Sequence, residues 1–271
     1  KQVEEKNDST GASSWGDTAD HDIDEKINYK LIATLPTNYA DYRAFKMVFT
    51  DTMDAGLTYN DDAKVYAVNE KTKTELAFTI TPITNGFTAT CNNIKTLEHA
   101  STITADTKIV VEYTAKLNGN AKSGAEGNKN TADLTYSNDP NWDGTGEPTT
   151  GNTPDDTNIV FTYKATVDKV KGDKKTALEG AGFTLYKWVN NDWTQIGKEI
   201  TNVTTFAFSG LDEGKYKLKE TTVPDGYNKA ADVIFCIESE LDNTNEALTT
   251  LVVKDEDGNV ISGDDLTFTA D

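Results

Sequence analysis

Apolar and polar residues alternate with a period of two along most of this chain, in short runs broken by Gly, Asn, Asp and Pro. Such runs read as strands that bury one face. The clearest spans 27–35, where Ile27, Tyr29, Leu31, Ala33 and Leu35 share a face and Pro36 ends the run. Further strands are predicted at 45–51, 57–59, 65–68, 76–80, 87–91, 108–113 and 132–136. A second series starts at Ile159 and continues at 183–188, 193–196, 205–208, 216–220, 233–237 and 248–253. The stretch 93–98 reads as a short helix. Many short strands rich in Thr and β-branched residues predict an all-β chain built of sandwiches.

Between the two series lies 137–156, with Pro140, Pro148, Pro154, Gly144, Gly146 and Gly151 and almost nothing apolar. That composition predicts an interdomain linker. The chain has 271 residues, enough for two β-cores. The expected organisation is a first domain over 1–138, a linker over 139–156 and a second domain over 157–271, as two tandem immunoglobulin-like β-sandwiches.

Charge narrows the function. The net charge is −19, from 45 acids against 26 bases. A nucleic-acid partner needs a basic patch and is not expected. No apolar run reaches transmembrane length, and the first residues carry no signal-peptide pattern. The two cysteines, Cys91 and Cys236, fall in different predicted domains within apolar strand patterns and read as small buried hydrophobes. His21 and His99 are too far apart in sequence to suggest zinc. Asp106, Asp139, Asp155 and Asp156 read as solvated acidic loops rather than a calcium site. There is no phosphate loop, nucleophile elbow or cofactor motif, so no cofactor is expected.

Two charges do stand out. Glu220 shares a strand face with Tyr216 and Leu218, and Lys169 shares one with Ala165 and Val167. Burying either unpaired is costly. The two form either a buried salt bridge or a reactive pair. The surrounding motifs decide in favour of chemistry. Leu178-Glu-Gly-Ala-Gly-Phe-Thr-Leu-Tyr186 and Leu211-Asp-Glu-Gly-Lys-Tyr-Lys-Leu-Lys-Glu-Thr-Thr-Val-Pro-Asp-Gly-Tyr227, following Val167-Asp-Lys169, resemble the collagen-adhesin B-type domain of Gram-positive surface proteins. The resemblance implies that Lys169 bonds covalently to an Asn on the last strand, with Glu220 promoting the reaction. The chain ends at Leu266-Thr-Phe-Thr-Ala-Asp271, and the nearest Asn is Asn259, in a turn. The expectation is therefore that this domain lacks its last strand and that the partner of Lys169 lies beyond Asp271.

The first domain resembles the fimbrial isopeptide-formation domain of sortase-assembled pilins. The resemblance rests on Trp15-Gly-Asp17, Ile27-Asn-Tyr-Lys-Leu31, Phe49-Thr-Asp-Thr-Met-Asp-Ala-Gly-Leu57 and Asn130-Thr-Ala-Asp-Leu-Thr-Tyr-Ser-Asn138. It implies an amide cross-link to Asn130 promoted by Asp51. Lys1 fits the Lys-x-Val pattern of the donor, and Lys6 is the second candidate. Together the two domains imply a fimbrial shaft subunit, joined to other pilin subunits by sortase and anchored to peptidoglycan through regions outside this chain. It would be a surface appendage and no turnover enzyme. The rival is an adhesin for a host matrix protein or glycan, with Trp15 and Trp142 as contact residues.

Overall fold

The computed structural model describes residues 1–262 apart from Lys71 and Lys174, and these residues are almost entirely β. The first domain runs through β1 (Gln2–Lys6), β2 (Ser13–Gly16), β3 (Thr18–Asp20), β4 (Ile27–Thr34), β5 (Met47–Met53), β6 (Leu57–Tyr59), β7 (Lys64–Asn69) and β8 (Thr72–Leu76). It continues with β9 (Thr79–Ile83), β10 (Gly86–Cys91), β11 (Lys108–Leu117), β12 (Asn128–Ser137), β13 (Thr150–Asn152) and β14 (Asp156–Phe161). One sheet has the order β2-β1-β4-β11-β7-β8, with β6 also on β11. The facing sheet has the order β3-β14-β12-β5-β10-β9, with β13 also on β12. The alternation of 27–35 is realised in β4: Ile27, Tyr29, Leu31 and Ala33 are buried and pack with Val65, Ile109, Val111 and Phe49 between the sheets.

The second domain contains β15 (Tyr163–Asp168), β16 (Gly182–Val189), β17 (Asp192–Thr201), β18 (Thr205–Leu211), β19 (Gly214–Thr222), β20 (Val233–Asp242), β21 (Ala247–Asp255) and β22 (Val260–Ser262). The order β17-β16-β19-β20-β21-β22 forms the large sheet, and β15 pairs with β18 in a two-stranded one. Phe183, Leu185, Phe206, Tyr216, Leu218 and Phe235 lie in the core between them.

Three local differences from the sequence pattern have physical causes. The run 76–80 is broken at Ala77 and Phe78, so two strands form there. The 93–98 stretch forms one 3₁₀ turn, Ile94–Thr96, with Asn93 Oδ1 accepting from the Lys95 amide. The stretch expected as linker is partly strand: β13 pairs with β12, and β14 lies between β12 and β3. Domain one's sheet therefore runs to Phe161, and β15 begins only two residues later. Pro and Gly there shape a long surface loop whose returning ends still complete a sheet. The segment 266–271 lies outside the described residues.

Candidate functional site

Strand pairing builds the first site. β5 sits in register with β12 so that Ala132 lies opposite Asp51, and Asn130 opposite Met53. On a pleated strand, residues two apart point the same way, so Asn130 and Ala132 share a face. Asp51 alternates with Phe49 and Met53 on the buried face of β5, which is why its carboxylate lies inside. Lys1 precedes β1, which pairs Gln2 with Lys30 and Val3 with Tyr29. This places the Lys1 side chain between the sheets, 1% exposed, at the inner end of a groove of about 610 Å³ lined by Leu31, Phe45, Met47 and Phe49.

The contacts form a chain. Lys1 Nζ donates to Asp51 Oδ2 at 2.7 Å, and Tyr113 Oη donates to the same oxygen at 2.7 Å. Asn130 Nδ2 donates to Tyr113 Oη at 3.1 Å. Asp51 and Asn130 are both fully buried. The walls are aromatic: Tyr29 stacks on Tyr113 at 5.2 Å, Phe87 meets Tyr113 edge-on at 4.9 Å, and Lys1 Nζ lies 5.9 Å from the Tyr29 ring centre. Two buried acceptors, Asp51 Oδ1 and Asn130 Oδ1, have no hydrogen-bond partner. Burial pulls the Lys1 ammonium down to about 8, against the opposing attraction of Asp51. Burial and the Asp51 charge push the Tyr113 hydroxyl well above its usual range. Lys6, the second candidate donor, stands apart: its side chain is half exposed and pairs with Asp8 at 3.2 Å.

The second site repeats part of this arrangement. Lys169 Nζ lies 2.8 Å from Glu220 Oε1, with both side chains almost fully buried. The approach is an ion-pair contact rather than an aligned hydrogen bond, since Oε1 has no hydrogen-bond partner. Glu220 Oε2 accepts from the Ala230 amide at 2.6 Å. The Phe183 ring centre lies 5.7 Å from Lys169 Nζ, and Phe206 meets Phe183 edge-on. Asn259 is elsewhere, donating from Nδ2 to the Asp255 carboxylate in the β21–β22 turn.

The other candidates have ordinary places. His21 is buried, between Glu25 at 2.9 Å and the Glu4 carbonyl at 2.8 Å. Burial disfavours its charge, but these partners outweigh it and raise the ring to about 9. Cys91 is buried and Cys236 half-buried, both as free thiols. Asp156 binds the α-ammonium of Lys1 at 2.6 Å. Trp15 carries the Lys30 ammonium 3.5 Å from its ring centre, and Trp142 Nε1 donates to the Thr145 carbonyl at 3.0 Å.

One buried cation escaped the sequence reading. Lys187 is completely buried, with carboxylate oxygens of Asp212, Asp22 and Asp8 at 2.5, 2.6 and 3.2 Å. Its signal was present, because Lys187 continues the parity of Phe183 and Leu185 on β16, as Lys169 does on β15. Burial opposes its charge, but Asp212 and Asp22 prevail and hold it firmly as an ammonium. Lys187 is thus the electrostatic opposite of Lys1.

Each of the two domains encloses a buried Lys–carboxylate pair between its sheets. The family described as Gram-positive pilin backbone subunit 2, Cna-B-like domain matches residues 23–140, and the SpaA prealbumin-like fold domain matches residues 163–261. Residues 23–140 are thus similar to a Gram-positive pilin backbone domain, and residues 163–261 to a prealbumin-like one. It is 32% identical over 228 residues to the trypsin-resistant surface T6 protein of Streptococcus pyogenes serotype M6, covering 74% of this chain and 39% of that protein. The fold is similar to the 35 kDa C-terminal fragment of the major pilin GBS80 of Streptococcus agalactiae, with a TM-score of 0.62, 22% identity and coverage of 87% and 89% of the two chains. It is also similar to the group B streptococcus pilus 2b backbone protein, with a TM-score of 0.61, 21% identity and coverage of 93% and 94%. Among the described residues no helix is long and apolar enough to cross a membrane.

Proposed function

We propose that this chain is a load-bearing part of a pilus shaft subunit whose first domain closes itself with an amide bond between Lys1 and Asn130. The observation that carries this reading is the fully buried contact chain Lys1–Asp51–Tyr113–Asn130. The reaction would proceed in balanced steps. The Lys1 ammonium passes a proton to Asp51, which leaves a neutral amine. The amine attacks Asn130 Cγ, forming a C–N bond. The Asn130 amide C–N bond then breaks, and the departing nitrogen takes the one proton that the attacking Lys1 nitrogen gives up, relayed through Asp51, and leaves as ammonia. Burial supplies the first step by weakening the ammonium. Protonated by Lys1, Asp51 becomes a donor that can polarise the Asn130 carbonyl, whose oxygen otherwise has no hydrogen-bond partner. Preformed contact replaces a bimolecular encounter, an advantage that reaches ~10⁵ M or more in effective concentration. The protein modifies itself once, so there is no turnover.

In the second domain Lys169 and Glu220 supply the same amine and acid. Joining to neighbouring subunits by sortase, and anchoring to the cell wall, would use regions of a longer chain. The test is intact mass with peptide mapping. The folded protein should lack the mass of one ammonia and yield a branched peptide joining Lys1 to Asn130. Asp51→Ala should restore the full mass. A wild-type chain of full mass, well folded, would refute the reading.

A further inference from the structure

We infer that Lys187 is an interdomain lock, a domain-two ammonium whose counter-charges come from both domains and fix the angle between them. Asp212 lies at the start of the β18–β19 turn of domain two. Asp8 follows β1 and Asp22 follows β3, both in domain one. The three carboxylates meet on one ammonium that has no exposure to solvent. Breaking the domains apart would return Asp8 and Asp22 to water and leave Lys187 with Asp212 as its one remaining carboxylate partner among these three.

Neighbouring contacts tie the same elements together. Asp22 Oδ1 accepts from the Asp212 amide at 3.1 Å, so Asp22 bridges backbone and side chain of the other domain. Tyr216 Oη donates to Asp212 Oδ1 at 2.9 Å and holds that carboxylate toward Lys187. One residue on, the Ile23 amide donates to the Gly210 carbonyl at 3.0 Å. Gly210 has φ +77°, and a Cβ there would overlap the Ile23 side chain, so the two domains approach as closely as glycine allows. Farther out, Asn243 Oδ1 accepts from the amides of Asp17 and Thr18 at 2.7 and 2.9 Å. Those outer bonds are exchangeable with water at little cost. The central one is not, because parting the domains takes two of three carboxylate partners from an ammonium that has no exposure to solvent. Burial and the adjacent Asp22 charge push the Asp212 carboxyl well above its usual range.

The lock is independent of the amide cross-links. Its test is nitrogen-15 relaxation on the whole chain, which gives a tumbling time for each domain. The wild type should show one time shared by both domains. Asp8→Ala with Asp22→Ala removes the domain-one charges and leaves Lys187 with Asp212 and Tyr216 inside domain two. This variant should lose the shared time, with each domain tumbling faster. Lys187→Met should do the same, and where it unfolds domain two the Asp8/Asp22 variant decides. A wild type that already tumbles as two bodies would overturn the inference. So would an Asp8/Asp22 variant that keeps the shared time with both domains folded.

Discussion

Lys1 and Lys187 are two buried lysines with opposite electrostatic fates. Lys1 faces one carboxylate in an aromatic box and is pulled down to about 8, so a usable fraction is neutral near physiological pH. Lys187 faces three carboxylates and stays charged. Reactivity thus depends on how many acids share the pocket, and this separates a nucleophile from a structural cation. It follows that Lys1→Ala should abolish the mass loss in domain one, whereas Lys6→Ala, at a half-exposed site, should leave it intact. Intact mass of the two variants checks both. His21 offers a pH prediction. Its folded value of about 9 lies above the ordinary 6.5, so its contribution is fully present below 6.5 and is lost as pH rises through 9. The shift corresponds to about 3 kcal/mol. Glu5, raised to about 7 mainly by burial and by Asp20, acts in the same direction over a more acidic window, between 4.5 and 7. Denaturant midpoints should fall between pH 6.5 and 9 in the wild type and fall less in His21→Gln.

At the level of elements, the site in domain one is positioned by the β5–β10 and β5–β12 pairings. Gly86 of β10 lies where a Cβ would overlap the Asp51 carbonyl oxygen. Gly86→Ala should force β5 and β10 apart, cost about 1–3 kcal/mol and leave part of the protein uncross-linked by intact mass. In domain two, β15 and β19 bring Lys169 to Glu220. Lys169→Met leaves Glu220 buried without its cation and should destabilise that domain by about 3–5 kcal/mol. Adding Glu220→Leu should recover most of the loss, since an apolar pair of similar volume no longer buries a charge. Chemical unfolding followed by Trp188 and Trp193 fluorescence, both in domain two, would report these changes.

For the whole molecule, the proposed bond would close a loop from Lys1 to Asn130 on β12, spanning most of domain one. Closing a loop of this length stabilises by on the order of 5 kcal/mol in the chain-entropy description. Asp51→Ala should therefore lower the thermal transition of domain one and leave that of domain two in place, as calorimetry would show. Pulled along a fibre, a strand clamped by such a bond could not unzip.

The fold class and the Lys169 and Glu220 positions were legible in the sequence because strand parity is local: a charged residue on the apolar face of an alternating run announces itself. Asp51 and Asn130 were named only by the resemblance of their segments to a fimbrial domain. Lys187 carried the same signal but matched no known motif and so passed unnoticed. The Lys-x-Val pattern ranked Lys1 above Lys6 but could not show which is buried, since Lys1 precedes the short polar strand that Lys6 ends. Only the register of β1 against β4 places Lys1 in the core. The role of β14 was hidden too, because a strand's sheet membership depends on partners more than twenty residues away. What the sequence determined alone was which faces are apolar and which charges lie on them. What the tertiary structure decided was which charges meet: Lys1 with Asp51 across one sandwich, and Lys187 with acids of both domains. Those meetings depend on long-range pairing, and no local pattern encodes it.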